Sequence, residues 1–152
     1  MARAPFQVLV FPFRLIKGSI VEYAIFSRSD TGNWQGIAGG GEDEENPLQA
    51  ARRESWEEAK IPTDSKFIQL QTVNSVPAYN FRDSYLWGEK LYVVPEFCFG
   101  VEVSGFRLEI SWEHQATKWV RFNEGESLLR YESNRIALWE LNQRVLGLGP
   151  RD

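Results

Sequence analysis

The segment from Gly39 to Ile61, GGGEDEENPLQAARRESWEEAKI, constrains this chain most, because a glycine run leads straight into a helix marked at both ends. Asn46 is a good N-cap, Pro47 suits the first helical position, and Gln49 completes a capping box with Asn46. Pro62 disfavours helical geometry at Ile61, so the helix is predicted from about Pro47 to Lys60. On such a helix Glu54, Glu57 and Glu58 stand at i, i+3 and i+4 and project from one face. Leu48, Ala51, Ser55 and Ala59 fall on a neighbouring arc, predicted to pack on a sheet. Three carboxylates stacked within one turn repel one another, and Arg53, placed to pair with Glu57, supplies one guanidinium for three acids. A hard divalent cation would neutralise them, since Mg²⁺ and Mn²⁺ prefer carboxylate oxygens and keep positions open for water and phosphate. By spacing alone, a solvated acidic face is the commoner explanation of such a pattern.

The flanking sequence predicts strands. Phe6 to Leu15 is dense in Val, Leu and Phe and reads as a buried strand, with Pro12 hinting at an edge or a bulge. A turn at Lys17-Gly18 leads to Ile20–Arg28, where apolar and polar residues roughly alternate. Gly32 to Gly41 reads as a glycine-rich loop interrupted by Trp34 and Ile37. Further strands are predicted at Phe67–Val76, Leu91–Val103 and Lys118–Phe122, with a polar, aromatic loop around Pro77–Lys90. Ser127 to Leu146 reads as one or two helices, with Ile136, Leu138, Trp139, Leu141 and Val145 as packing positions. The order strands, helix, strands, helix predicts one α+β domain over residues 1–152.

Composition narrows the function classes. A net charge of −4 argues against a surface that holds a long nucleic-acid backbone, which needs a basic footprint. A small anionic substrate stays open, because a bound cation inverts the local field. The single cysteine, Cys98, excludes an intramolecular disulfide and a cysteine metal cluster, and its apolar surroundings in sequence place it in the core. No stretch approaches the ~20 apolar residues of a membrane span, and no signal-peptide pattern opens the chain, so a cytoplasmic enzyme is expected.

The helix and its glycine run resemble the Nudix box: Gly, five residues, Glu, seven residues, Arg-Glu, two residues, Glu-Glu, then an apolar position after a Gly. Gly39, Glu45, Arg53, Glu54, Glu57, Glu58 and Ile61 all match, with both gaps kept. Ser55 departs from an apolar position, where its hydroxyl could bond back to a carbonyl one turn earlier. Lys60 replaces the helix-ending glycine, where a left-handed backbone costs a side-chain-bearing residue roughly 1 kcal/mol. The resemblance implies a mixed sheet sandwiched between helices and a Mg²⁺-dependent (or Mn²⁺-dependent) hydrolase. It further implies that Glu54, Glu57 and Glu58 bind the metal, joined by the Ala38 carbonyl, while Arg53 holds a carboxylate in place and Glu45 buttresses the loop. Gly39 to Gly41 would let the backbone approach phosphates and metal. The cations would polarise a phosphoryl oxygen and activate water for in-line attack. Glu113, just ahead of a strand carrying Trp119, is the expected general base, with the adjoining His114, the only histidine, as a weaker candidate.

Outside the box, Trp34-Gln35, Glu113-His114 with Lys118-Trp119, and Ser133-Asn134-Arg135 resemble one branch of the family, the bacterial dATP and dihydroneopterin triphosphate pyrophosphohydrolases. That branch cuts a triphosphate to a monophosphate and pyrophosphate. Trp34, Tyr79, Trp87 and Trp112 could stack on a flat heterocycle, and Arg28, Arg82 and Arg135 could grip phosphates. The expected partner is a nucleotide-like diphosphate substrate, taken by a monomer or homodimer, with neither a nucleic-acid polymer nor a membrane. The competing readings are a housecleaning, dinucleoside or sugar diphosphatase, and a non-catalytic ligand sensor. The sensor reading sits poorly with a full set of box carboxylates, and an isomerase would need Cys98 as nucleophile.

Overall fold

The computed structural model describes residues 3–105, 107–111 and 114–152. Among these, strands β1 (Arg3–Ile16), β2 (Ile20–Arg28), β3 (Trp34–Gln35) and β4 (Ile37–Glu42) precede helix α1 (Pro47–Ala59). Strand β5 (Phe67–Pro77), two short 3₁₀ turns, β6 (Val93–Glu102) and β7 (His114–Val120) follow, and α2 (Phe122–Leu128) and α3 (Glu132–Val145) close the chain. All seven strands share one mixed sheet, in which β1 runs parallel to β6 and antiparallel to β2 and β4.

Alternation along the central strand builds the layers. Val8 and Val10 face one way, into a core with Phe26, Ile37, Ala50, Ala51, Ala59 and Phe99, which α1 covers. Leu9, Phe11 and Phe13 face the other way, packing with Tyr23, Leu138 and Leu141 under α3. The fold is therefore α+β, a mixed sheet between helices, as the sequence predicts.

Several expectations need correction. The glycine run is a strand, β4, paired with β1 through Val8↔Gly39 and Leu9↔Ala38. Glycine disfavours strands for lack of packing, but here neighbouring side chains occupy the space that β carbons would take. Pro12 lies on a central strand, at the step where β1 changes partner from β4 (Val10↔Ile37) to β2 (Phe13↔Tyr23), so its missing N–H falls between two ladders. Phe122 begins a helix instead of ending a strand. Leu48 is more than a third exposed, and Ile136 and Trp139 are likewise exposed, whereas Leu138 and Leu141 are fully buried.

Helix α1 follows its sequence signals closely. Asn46 and Gln49 form the capping box with bonds of 2.8 and 2.9 Å, and Lys60 adopts the left-handed conformation (φ 57°, ψ 34°) at the other end. The Lys60 N–H reaches the Trp56 carbonyl, and its ammonium sits 4.9 Å over the Trp56 ring. Ser55 does not bond back to the helix: its buried hydroxyl has no hydrogen-bond partner among the described residues.

Candidate active site

Helix α1 lies against β4, and that contact brings the acidic residues and the glycines together. A β carbon on Gly39 would stand 2.2 Å from Glu54 Cδ, so only glycine lets this carboxylate rest on the strand. Gly40 and Gly41 leave comparable room for Arg3 and the Phe6 ring.

Arg53 is the hub of the site. Its Nε and Nη2 donate to the two oxygens of Glu45 at 2.8 and 3.0 Å, and Nη2 also donates to the Gly40 carbonyl at 2.9 Å. Its Nη1 donates to Glu54 Oε1 at 3.0 Å and to Glu57 Oε2 at 3.2 Å, with Glu42 at 3.6 Å. Glu45 in turn accepts the Glu42 N–H at 2.9 Å, which ties the end of the glycine strand to the helix. The bond to Glu45, chiefly, holds the guanidinium above its ordinary range. Glu54 is 5% exposed. Burial pushes its carboxyl up to about 7, against the pull of Arg53 and with help from Glu57.

Glu58 meets the segment that leads into β7. One turn along α1 from Glu54, its carboxylate accepts the Ser111 hydroxyl at 2.9 Å and lies 3.3 Å from His114 Nδ1 at the start of β7. As the side chains stand, no three His, Cys, Asp or Glu groups among the described residues converge on one ion. Glu54 and Glu57 do converge, on a single Arg53 nitrogen. Four carboxylates around one guanidinium form an oxygen-only, under-neutralised donor set, and that chemistry fits a hard divalent cation.

Two adjoining cavities open beside this unit. One, about 590 Å³, is lined by Gly39, Gly40, Arg3, Arg28, Arg82 and Asp83. The other, about 500 Å³, runs from Arg28 and Ala38 to Gln7, Gln35, Phe81, Glu96 and Asn134. Ala38 lines both cavities, and Arg28 faces the same space while its guanidinium pairs with Asp30 at 3.0 Å.

Other expected residues are elsewhere. Trp34 packs on the core under α3, and its neighbour Gln35 lines the cavity instead. Arg135 donates to the Leu129 carbonyl at 2.9 Å and lines a separate groove with Glu132 and Trp139, because it is one residue round α3 from the inward-facing Asn134. Asn134 accepts the Gly36 N–H at 2.8 Å. From the aromatic loop, Tyr79 is 82% exposed and Trp87 donates to the Arg3 carbonyl, while Phe81 and Arg82 reach the cleft. Glu113 and Trp112 lie outside the described residues. Sequence reasoning missed Arg3, Gln7, Phe81 and Glu96. Arg3 and Gln7 are on β1, Phe81 is in a loop and Glu96 is on β6, and nothing local marks them.

A capped acidic helix laid on a glycine strand, in a mixed sheet between helices, is the architecture of a Nudix domain. The NUDIX domain model matches residues 15–139, and the chain belongs to that family. It is a Nudix hydrolase, and enzymes of that family generally use a divalent metal. A Listeria monocytogenes structure assigned to the Nudix hydrolases is 38% identical, with a TM-score of 0.85 and coverage of 95% of this chain and 96% of that one. The E. coli dihydroneopterin triphosphate pyrophosphohydrolase is 22% identical, with a TM-score of 0.74 over 93% and 98% of the two chains. A C. elegans Ap4A hydrolase is 18% identical, with a TM-score of 0.70 over 95% and 100%. These last two share the fold. Comparison with curated proteins gives no match.

Proposed function

We propose that the chain cleaves a nucleoside triphosphate-like substrate, of the dATP or dihydroneopterin triphosphate type, to a monophosphate and pyrophosphate. The observation that carries the reading is the pair of adjoining cavities: an arginine-lined cleft over Gly39 and Gly40 that shares Arg28 and Ala38 with a second, half-open pocket roomy enough for a heterocycle. Such a shape suits a substrate with a polyphosphate at one end and one ring system at the other.

Within the cleft, Arg3, Arg28 and Arg82 would bind phosphate oxygens, and the bare backbone at Gly39 and Gly40 would let the chain lie close. Glu54, Glu57 and Glu58 would hold Mg²⁺ or Mn²⁺ beside the Ala38 carbonyl, oriented by Arg53. The bound cation would polarise a phosphoryl oxygen and favour hydroxide from its water at neutral pH. Glu113 is proposed to take the proton from the attacking water, and the chain to act in the cytoplasm as a monomer or homodimer over a single domain of residues 1–152. No helix among the described residues is long and apolar enough to cross a membrane.

The test is a panel of triphosphates, dinucleotides and sugar nucleotides incubated with Mg²⁺ in ¹⁸O-labelled water. Pyrophosphate and monophosphate should appear in equal amounts from a triphosphate. Release of inorganic phosphate alone, or turnover only of dinucleotide or sugar-linked diphosphates, would defeat the triphosphate reading and leave the hydrolase class standing.

A further inference from the structure

The pocket beyond Ala38 contains a buried acid that the metal site does not use. Glu96 on β6 stands in register with Gln7 on β1 and with Asn74 on β5, so the three side chains form one line across three adjacent strands. Glu96 is 5% exposed and lines the pocket. Gln7 Nε2 donates to its Oε2, and Asn74 Nδ2 donates to its Oε1 at 3.0 Å. No Lys, Arg or His among the described residues forms an ion pair with it.

A carboxylate buried without a cation is costly, and a glutamine would fill the same space without the charge. The fold alone therefore gives no reason for an acid here, and an acid facing a cavity points to a ligand. Both oxygens already accept an amide N–H, so the group is set as an acceptor with a lone pair left on each oxygen.

We propose that Glu96 is the specificity-determining residue of this pocket, accepting two neighbouring N–H donors from the edge of a 2-amino-4-oxo heterocycle of guanine or pterin type. The proposal rests on the triphosphate reading above and chooses within it. A guanine or pterin edge offers a ring N–H beside an exocyclic amino group, which matches two acceptor oxygens. An adenine edge offers an amino donor beside a ring-nitrogen acceptor, whose lone pair would face the carboxylate. Phe81 and Val76 give the pocket apolar walls for a flat ring, and the shared lining at Ala38 and Arg28 leads from the ring toward Gly39 and Gly40. Burial raises the Glu96 carboxyl while the Gln7 and Asn74 amides oppose it, and two further donors from a ligand would add to that opposition.

The experiment compares kcat/KM for dGTP, dihydroneopterin triphosphate and dATP in the wild type and in Glu96→Gln. In the wild type, dGTP or dihydroneopterin triphosphate should exceed dATP by about tenfold or more, and whichever leads identifies the ring. Glu96→Gln should bring the ratio over dATP to within about threefold, with the change carried by KM. Equal or better turnover of dATP by the wild type would overturn the proposal, and so would an equal loss on all three substrates in the variant. If the variant fails to fold, the wild-type ratio decides alone. If no triphosphate is cleaved, calorimetric binding of GMP and AMP to the wild type reads the base preference apart from the bond cut. GMP binding about tenfold tighter to the wild type, and brought near parity with AMP in Glu96→Gln, sustains the role of Glu96, and equal binding to the wild type removes it.

Discussion

Gly39 shows how much of this site rests on the absence of a side chain. Glu54 lies over that residue at a distance no β carbon could share, so Gly39→Ala must push the carboxylate, the strand or the helix. The expected cost is about 1–3 kcal/mol of stability, the usual range for overpacking a tight contact. A fall in activity should accompany it, because Glu54 is one of the two carboxylates that accept from Arg53 Nη1. A double-mutant cycle with Glu54→Ala checks the cause. Removing the carboxylate should recover much of the stability lost to Gly39→Ala, giving a clearly non-additive pair in chemical denaturation. Strict additivity would mean that the two residues do not meet in solution.

Among the elements, α3 is tied to β5 through Glu140. Glu140 accepts the backbone N–H groups of Gln71 and Thr72 at 2.7 Å each, along with the Thr72 hydroxyl, and pairs with Arg144 at 2.7 Å. Burial disfavours its charge, but the bonds from Thr72, Gln71 and Arg144 outweigh that and hold the carboxyl below its ordinary value of 4.5. The unfolded chain therefore binds this proton more readily than the folded one. The stabilisation is fully present above about pH 4.5 and is lost as pH falls through the lower, folded-state value. Glu140→Gln should cost about 1–2 kcal/mol near neutral pH and flatten the acid limb of a stability-against-pH curve from urea midpoints. An unchanged acid limb would show that Glu140 does not make these bonds in solution.

At the scale of the molecule, the acidic cluster links metal to folding. Glu42, Glu45, Glu54 and Glu57 surround Arg53, so a bound divalent cation should relieve repulsion in the folded chain that the unfolded chain scarcely feels. A chelator should abolish turnover and lower the melting temperature, and Mg²⁺ or Mn²⁺ should restore both. At a hundredfold excess over its Kd, the ion should add about 2.7 kcal/mol, read as a saturable rise in melting temperature. Full turnover in excess chelator would remove the metal-dependent mechanism.

What the sequence determined by itself was local. Asn46, Pro47, Gln49 and Pro62 delimit α1 to within a residue, because caps and proline act through neighbouring backbone groups. The spacing of Glu54, Glu57 and Glu58 puts them on one helix face, since helical geometry is the same wherever a helix forms. The tertiary structure decided what depends on partners distant in the chain. The glycine run reads as a loop until β1 pairs with it, and the contacts of Glu58 with Ser111 and His114 exist only once β7 packs beside α1. Which of Asn134 and Arg135 turns toward Gly36 is decided only when α3 docks, and it is Asn134. Glu96 carries no local sign at all, since its setting exists only when β1, β6 and β5 lie side by side and bring Gln7 and Asn74 to it from 89 and 22 residues away. Local rules act over a few residues of backbone, whereas a pocket is assembled from strand register, and register is fixed by burial across the whole sheet.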